Sequence, residues 1–346
     1  MSTTVLAAGD HFVLPRLLTE QVDAATGGAA EVRELLLPWP HTPFGPVAEV
    51  QEASGTEDEM IEALQGARMC VTQLAPLTER ILAHCPDLEL FCASRGGPVN
   101  ANLEAATRHG VAVCYAPGRN AVATAEHTLA LILAAARGLG DVHTDLRRGV
   151  WRGDYFDYAD CGIEIEGATV GLVGFGAVGS RVAKVLLALG ATVLVHDPYA
   201  DPERLAGIAE QVSLEELLSR SRIVSLHARV TEETTGMIGR TQLDLMPEGA
   251  VLVNCARGAL LDYDAACDAL ASGRLSAAGF DVFPEEPVPA GSPLLTAPGV
   301  VLTPHIAGGS QGVAHKAARI VGAEVGRFVR GEALAHCANP EVLERR

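Results

Sequence analysis

The chain has 346 residues, 48% of them hydrophobic, and a formal net charge of −17. Single cores rarely grow beyond roughly 250–300 residues, so this length implies two domains. The negative charge, with no basic stripe to offset it, excludes binding to a nucleic-acid backbone, and only 4% aromatic residues leave no stacking platform for bases.

In chain order, the opening MSTTVLAAGDHFVLP lacks a basic segment leading into an apolar one and does not read as a secretory signal. Short apolar runs at 3–9, 68–73, 88–94 and 111–116 read as strands, with helices at 57–65, 76–85 and 99–109 between them. The proline-rich stretch 38–46 reads as a loop. These pieces predict a small α/β domain with a largely parallel sheet. A long helix is expected over 121–149; its first half is apolar on nearly every side and so must be covered on more than one face. Its uninterrupted apolar part, 129–136, is too short to span a bilayer. The segment 151–163, polar, aromatic and irregular, reads as a packed crossover.

A second α/β series follows. Strands are expected at 168–174, 192–197, 222–227, 250–255, 276–282 and 300–304, with a helix at 177–190 and helices between most of the others. Near-continuous apolar strands alternating with helices predict a doubly wound sheet. A last helix, 311–330, returns to the first domain. Two α/β domains with a cleft between them follow. The eight cysteines have no CxxC spacing and read as buried thiols of a reduced, cytoplasmic protein, with neither a disulfide scaffold nor a metal site.

One motif points to a nucleotide. Gly174-Phe175-Gly176-Ala177-Val178-Gly179 follows a strand directly and opens a helix, the context that gives a GxGxxG run its meaning. Gly174 permits the tight turn, Gly176 admits a pyrophosphate to the backbone and Gly179 allows close helix–strand packing. Asp197 ends the next strand, 23 positions after Gly174, where a carboxylate can bond ribose hydroxyls and repel a 2′-phosphate. The expected cofactor is NAD(H).

Three polar groups lie at the carboxyl ends of later strands: Arg257 in VNCARGALLD, the 281–286 stretch in GFDVFPEEP, and His305 in LTPHIAGG. In an open parallel sheet that edge faces the ligand. Reducing a 2-keto acid needs a cation for the carboxylate, a donor to the carbonyl and a proton for the alkoxide. Arg257 suits the first two and His305 the third. A neighbouring carboxylate would orient the histidine, and spacing does not choose between Glu285 and Glu286.

Taken together, GRNAVATAEHTLALILAAAR, GFGAVG with HDP, VNCARGALLD, GFDVFPEEP and LTPHIAGG resemble the D-isomer-specific 2-hydroxyacid dehydrogenases over nearly the whole chain. The resemblance implies a flavodoxin-like substrate domain, split into 1–118 and 309–346, around an NAD-binding Rossmann domain at 119–308 that carries a homodimer contact. It implies that Arg257 binds substrate, that His305 is the acid/base with Glu286 as its partner, and that Asp281 contacts the nicotinamide carboxamide. Ala256, Arg257, Asp281 and His305 then join the glycine turn and Asp197 around the cofactor, and Arg95, Gly96 and Gly97 line the substrate with Arg257 and His305.

The chain also departs from the family. Where relatives carry a GVGxDNID-like loop, it reads Ser94-Arg95-Gly96-Gly97-Pro98-Val99-Asn100, with Arg95 in place of a glycine. Arg229 stands at a usual proline, and Arg119 is a third arginine near the expected hinge. Three added cations point from a small apolar keto acid toward a sugar acid or a phosphorylated acid, including a phosphoglycerate or a sugar acid rearranged on oxidation. Other classes fare worse. A silent NAD-sensing protein has no use for the Arg257, Glu286 and His305 set, and a P-loop enzyme would need a lysine that the glycine turn lacks.

Overall fold

The computed structural model describes residues 3–39, 45–158 and 160–345. Most of the proline-rich loop read at 38–46, and residue 159 of the crossover, lie outside the described residues. The chain forms two compact units, Met1–Asn120 with Ser310–Arg346, and Ala121–Gly309.

The first unit runs β1 (Thr3–Gly9), α1 (Pro15–Thr26), β2 (Ala30–Leu36), α2 (Glu57–Leu64), β3 (Met69–Thr72), α3 (Glu79–His84), β4 (Leu90–Ala93), α4 (Leu103–Arg108) and β5 (Ala112–Tyr115). Its five strands are all parallel, in the order β2-β1-β3-β4-β5. Every residue of β3 and β4 is buried, because apolar clusters cover both faces of the sheet. Neither α1 nor β2 is among the expected elements. In β2 the charges Glu31, Arg33 and Glu34 interrupt the apolar run, as suits an edge strand that is only partly covered. Helix α1 begins with Pro15, whose missing N–H costs nothing there, and stops at Gly27 in the left-handed region.

The second unit begins with α5 (Ala121–Ala136) and α6 (Leu139–Arg147). The single helix expected at 121–149 is therefore two, bent by 71° where Gly138 turns left-handed at φ 59°. The segment after it is not packed as expected. Trp151, Phe156 and Tyr158 are 86%, 92% and 100% exposed. Local polar contacts hold the segment instead: Arg152 pairs with Asp154 and stacks over Tyr155. No single helix among the described residues is long and apolar enough to cross a membrane.

The chain continues through β6 (Thr169–Val173), α7 (Gly179–Ala188), β7 (Thr192–His196), α8 (Pro202–Leu205), β8 (Glu210–Gln211), α9 (Leu214–Arg220), β9 (Ile223–Leu226), α10 (Arg240–Leu245), β10 (Ala250–Asn254), α11 (Tyr263–Ala271), β11 (Leu275–Phe280) and β12 (Val300–Leu302). These seven parallel strands lie in the order β12-β11-β10-β9-β6-β7-β8, doubly wound about β6 as the apolar runs predict. The two-residue β8 is too short to leave a pattern in the sequence.

Helix α12 (Gln311–Val329) rejoins the first unit and packs along α1. Glycine makes this possible: a Cβ at Gly322 would lie 2.8 Å from the Cβ of Gln21.

Candidate active site

Within each sheet the strands are all parallel, so the turns at their carboxyl ends gather on one edge of that sheet. In the seven-stranded sheet the order reverses between β6 and β9, and the glycine turn sits there. A Cβ on Gly174, at φ 105°, would lie 2.7 Å from the carbonyl carbon of His227, just past β9. A Cβ on Gly179 would lie 2.3 Å from the oxygen of Gly174. Both glycines are demanded by the protein's own packing. Gly176 is different, since a Cβ there would meet nothing within 4 Å. Its bareness leaves room for a ligand against the backbone, and the N-terminus of α7 has no side-chain cap. These are features a pyrophosphate fits. Asp197 closes the turn: its Oδ2 accepts from the Phe175 amide at 2.7 Å and its Oδ1 from the Tyr199 amide at 2.9 Å. Burial pushes the His227 ring down to about 4, which keeps it neutral, and its Nε2 is sealed without a partner.

Next along this edge, Arg257 follows β10 in extended backbone, with its side chain exposed. Asn254, buried at the end of β10, holds the turn: its Nδ2 donates to the Arg257 carbonyl at 2.9 Å and its Oδ1 accepts from the Ala256 amide at 3.0 Å. Tyr263 donates to the Val282 carbonyl at 2.5 Å and accepts from Asn254 at 3.1 Å, so the loops after β10 and β11 are tied together. They also touch directly, since a Cβ on Gly258 would lie 2.0 Å from the Phe283 oxygen.

The loop after β11 carries both adjacent glutamates, and the structure brings Glu286 rather than Glu285 to His305. Glu286 Oε1 accepts from the Phe283 amide at 2.9 Å, and its Oε2 lies 2.6 Å from His305 Nδ1. His305 is half exposed and its φ is 52°. A side chain in that left-handed region costs about 1–2 kcal/mol. Asp281 supplies the restraint. It is fully buried, and its Oδ1 accepts from Thr303 Oγ1 at 2.6 Å and the Ile306 amide at 2.9 Å. Its Oδ2 accepts from the Ala307 amide at 2.9 Å. The carboxylate thus clamps the turn on both sides of His305.

Sequence reasoning missed His127. Its Nε2 lies 2.9 Å from Thr303 Oγ1 and 3.5 Å from Asp281 Oδ1, which extends the clamp to α5. The signal was present: a histidine on a largely apolar helix. Cys255, buried beside this network, has its thiol pushed up to about 12 by burial and is no nucleophile. Arg229 is exposed, and its carbonyl accepts from Thr234 Oγ1 at 2.6 Å.

In the other unit, Arg95 follows β4. It pairs with the Glu52 carboxylate, and its Nη1 donates to the Glu52 carbonyl at 2.8 Å. Gly96 and Gly97 have open space where a Cβ would point. Asn100 ties this loop to the end of β3, donating to the Ala75 carbonyl at 2.7 Å. Arg119 lies over the Phe12 ring at 5.8 Å, and burial and the like charge of Arg95 bring it down to about 10.

Residues 129–307 match the family model described as D-isomer specific 2-hydroxyacid dehydrogenase, NAD binding domain. The chain is 35% identical over 301 residues to D-3-phosphoglycerate dehydrogenase of Methanocaldococcus jannaschii, covering 85% of this chain and 56% of that one. It is 35% identical over 298 residues to glyoxylate reductase of Korarchaeum cryptofilum, covering 85% of this chain and 90% of that one. A crystal structure of a Thermus thermophilus protein superposes with a TM-score of 0.78 at 29% identity, covering 97% of this chain and 100% of that one. This chain belongs to the D-isomer specific 2-hydroxyacid dehydrogenase family and carries its NAD-binding domain. It spans about half the length of the phosphoglycerate dehydrogenases it matches.

Proposed function

We propose that this chain is an NAD-dependent oxidoreductase that moves hydride between the nicotinamide and C2 of a D-2-hydroxy or 2-keto acid. A polar sugar acid or phosphorylated acid is the substrate class that its added arginines favour. The observation that carries the reading is the His305–Glu286 pair at 2.6 Å, braced by Asp281 on the strand edge that also bears Arg257.

NAD, when bound, would supply the hydride acceptor. The protein's part is to hold charge and move one proton. Glu286 engages Nδ1 of His305, so Nε2 is the nitrogen left to take the hydroxyl proton as C2 is oxidised and return it on reduction. Arg257 pairs its planar fork with the carboxylate and the C2 oxygen, where negative charge collects on reduction. Asp281 is a positioning residue: each of its oxygens is already committed to the His305 turn. The exposed Trp151, Phe156 and Tyr158 suit a face covered by a second copy of this chain. The cysteines are unpaired, and most are buried, which suits a reducing cytoplasm.

A panel of D-2-hydroxy acids assayed with NAD, followed at the reduced-nicotinamide absorbance with identification of each product, tests the reading. Turnover of at least one acid to its 2-keto product supports it, and none across the panel removes it. In the role proposed for Asp197 its carboxylate would repel a 2′-phosphate, so NADH should bind at least tenfold more tightly than NADPH. Equal binding contradicts that role.

A further inference from the structure

We infer that the carboxyl edge of the five-stranded sheet holds a second anion subsite, formed by Arg119 and Arg95, and that the substrate is an acid carrying a second carboxylate or a phosphate. The inference rests on the reaction proposed above and narrows its substrate.

Unsatisfied polar atoms mark the place. Among the described residues ten buried side-chain atoms lack a hydrogen-bond partner, and five of them belong to this edge: Asp10 Oδ2, Gln73 Oε1, Ser94 Oγ, Asn100 Oδ1 and Arg119 Nη1. All five residues follow β1, β3, β4 or β5 at the carboxyl edge of one sheet. Native proteins leave few such atoms, so a cluster at one edge is a site that a ligand completes: Arg119 Nη1 and the Ser94 hydroxyl can donate to its anionic group, and the oxygens of Asp10, Gln73 and Asn100 can accept from its hydroxyl. The order β2-β1-β3-β4-β5 puts the reversal between β1 and β3, the position where open parallel sheets take ligands. Asp10 and Gln73 stand at those two strand ends.

The cations there are unlike surface arginines. Glu52 holds Arg95 through both its carboxylate and its carbonyl, and sits at φ 48° to do so. Arg95 is thereby fixed in place, not loose. Among the described residues, no carboxylate is bonded to Arg119. Asp10 is near enough to act on it electrostatically, but Asp10 Oδ1 is taken by the Phe12 and Val13 amides at 2.8 and 2.9 Å. Phe12, against which the guanidinium stacks, fills one side. A purely structural arginine, half-buried, would be hydrogen-bonded to an acid; this one faces a like charge with an unused N–H. An anion with two or three oxygens relieves both, and the planar fork suits carboxylate and phosphate alike. A neutral polyol chain would leave the like charges opposed.

The test compares kcat/KM with NAD for D-lactate, D-erythronate, D-malate and D-3-phosphoglycerate, in the unaltered protein, Arg119→Met and Arg119→Lys. The expected result is a preference of at least tenfold for D-malate or D-3-phosphoglycerate over the two monoanions; which of them leads tells carboxylate from phosphate. Arg119→Met should lower kcat/KM for the preferred acid about 10- to 100-fold, mainly through KM, the size of a lost charge-assisted hydrogen bond. The fall for D-lactate should be at least fivefold smaller, and Arg119→Lys should recover part of the loss. An equal fall for all four acids, or D-erythronate as the best substrate, overturns the subsite. A binding measurement keeps the two proposals apart. With saturating NADH on the glycine turn, inorganic phosphate should raise Tm more than chloride at matched ionic strength, and Arg119→Met should abolish the difference. A phosphate effect without turnover of any acid would sink the reaction and keep the subsite. Turnover with neither anion preference nor phosphate effect would do the reverse.

Discussion

The loops past β10 and β11 and the carboxyl edge of the five-stranded sheet treat their polar groups differently. Past β10 and β11 in the seven-stranded sheet, the polar groups are bonded to one another: Asn254 to Tyr263 and the Arg257 turn, Asp281 to the His305 turn, and Glu286 to His305. Past β1, β3, β4 and β5 in the other sheet, Asp10, Gln73, Ser94, Asn100 and Arg119 each keep an atom unpaired. A group that must exchange a proton in one geometry gains from being fixed beforehand. Groups that recognise a substrate keep their bonds for it. On the function and subsite proposed above, the first set of groups would do the chemistry and the second would confer selectivity, so variants at each should fail in different ways.

The largest effect belongs to the pre-bonded edge. His305→Asn, chosen because asparagine tolerates a positive φ, should lower kcat by about 10²–10⁴ while NADH still binds. Turnover near the unaltered level would remove His305 as the acid/base. Next comes the brace. Asp281→Asn replaces an acceptor of three hydrogen bonds with an amide whose NH2 faces backbone N–H groups. The expected result is a kcat lower by about tenfold and a Tm lower by several degrees, with NADH affinity retained. A Tm loss with kcat intact would make Asp281 structural only. The smallest effect lies just past β9, where His227 lies against Gly174. His227 has a folded-state value near 4, below the ordinary 6.5, because burial disfavours its charged form. Its neutral ring therefore contributes full stability above about pH 6.5, and that contribution is lost as pH falls toward 4. His227→Gln should flatten this part of the Tm–pH curve, and an unchanged curve would contradict the assignment.

Much of this was legible in the sequence, for reasons that separate the two edges again. Glycine positions and strand-end charges announce themselves because close packing and parallel topology fix where they must fall; Gly174, Gly179, Arg257 and His305 were read that way. Periodicity failed where burial is partial or local conformation rules. The half-covered strand β2 carries too many charges, and the break between α5 and α6 hangs on the backbone of Gly138. The choice of Glu286 over Glu285 depends on which side chain a loop turns toward His305, which spacing does not encode. The same holds for His127 and for the set of unpaired atoms around Arg119, which exist only once distant strands are side by side.

The central claim is hydride transfer from C2 to the nicotinamide, with the proton passing to His305. The most direct test uses the best acid of the substrate panel, deuterated at C2, with NAD as acceptor and mass analysis of the reduced nicotinamide. The expected result is one deuterium on the nicotinamide ring and a 2-keto product free of it. Reduced cofactor carrying no deuterium would contradict it.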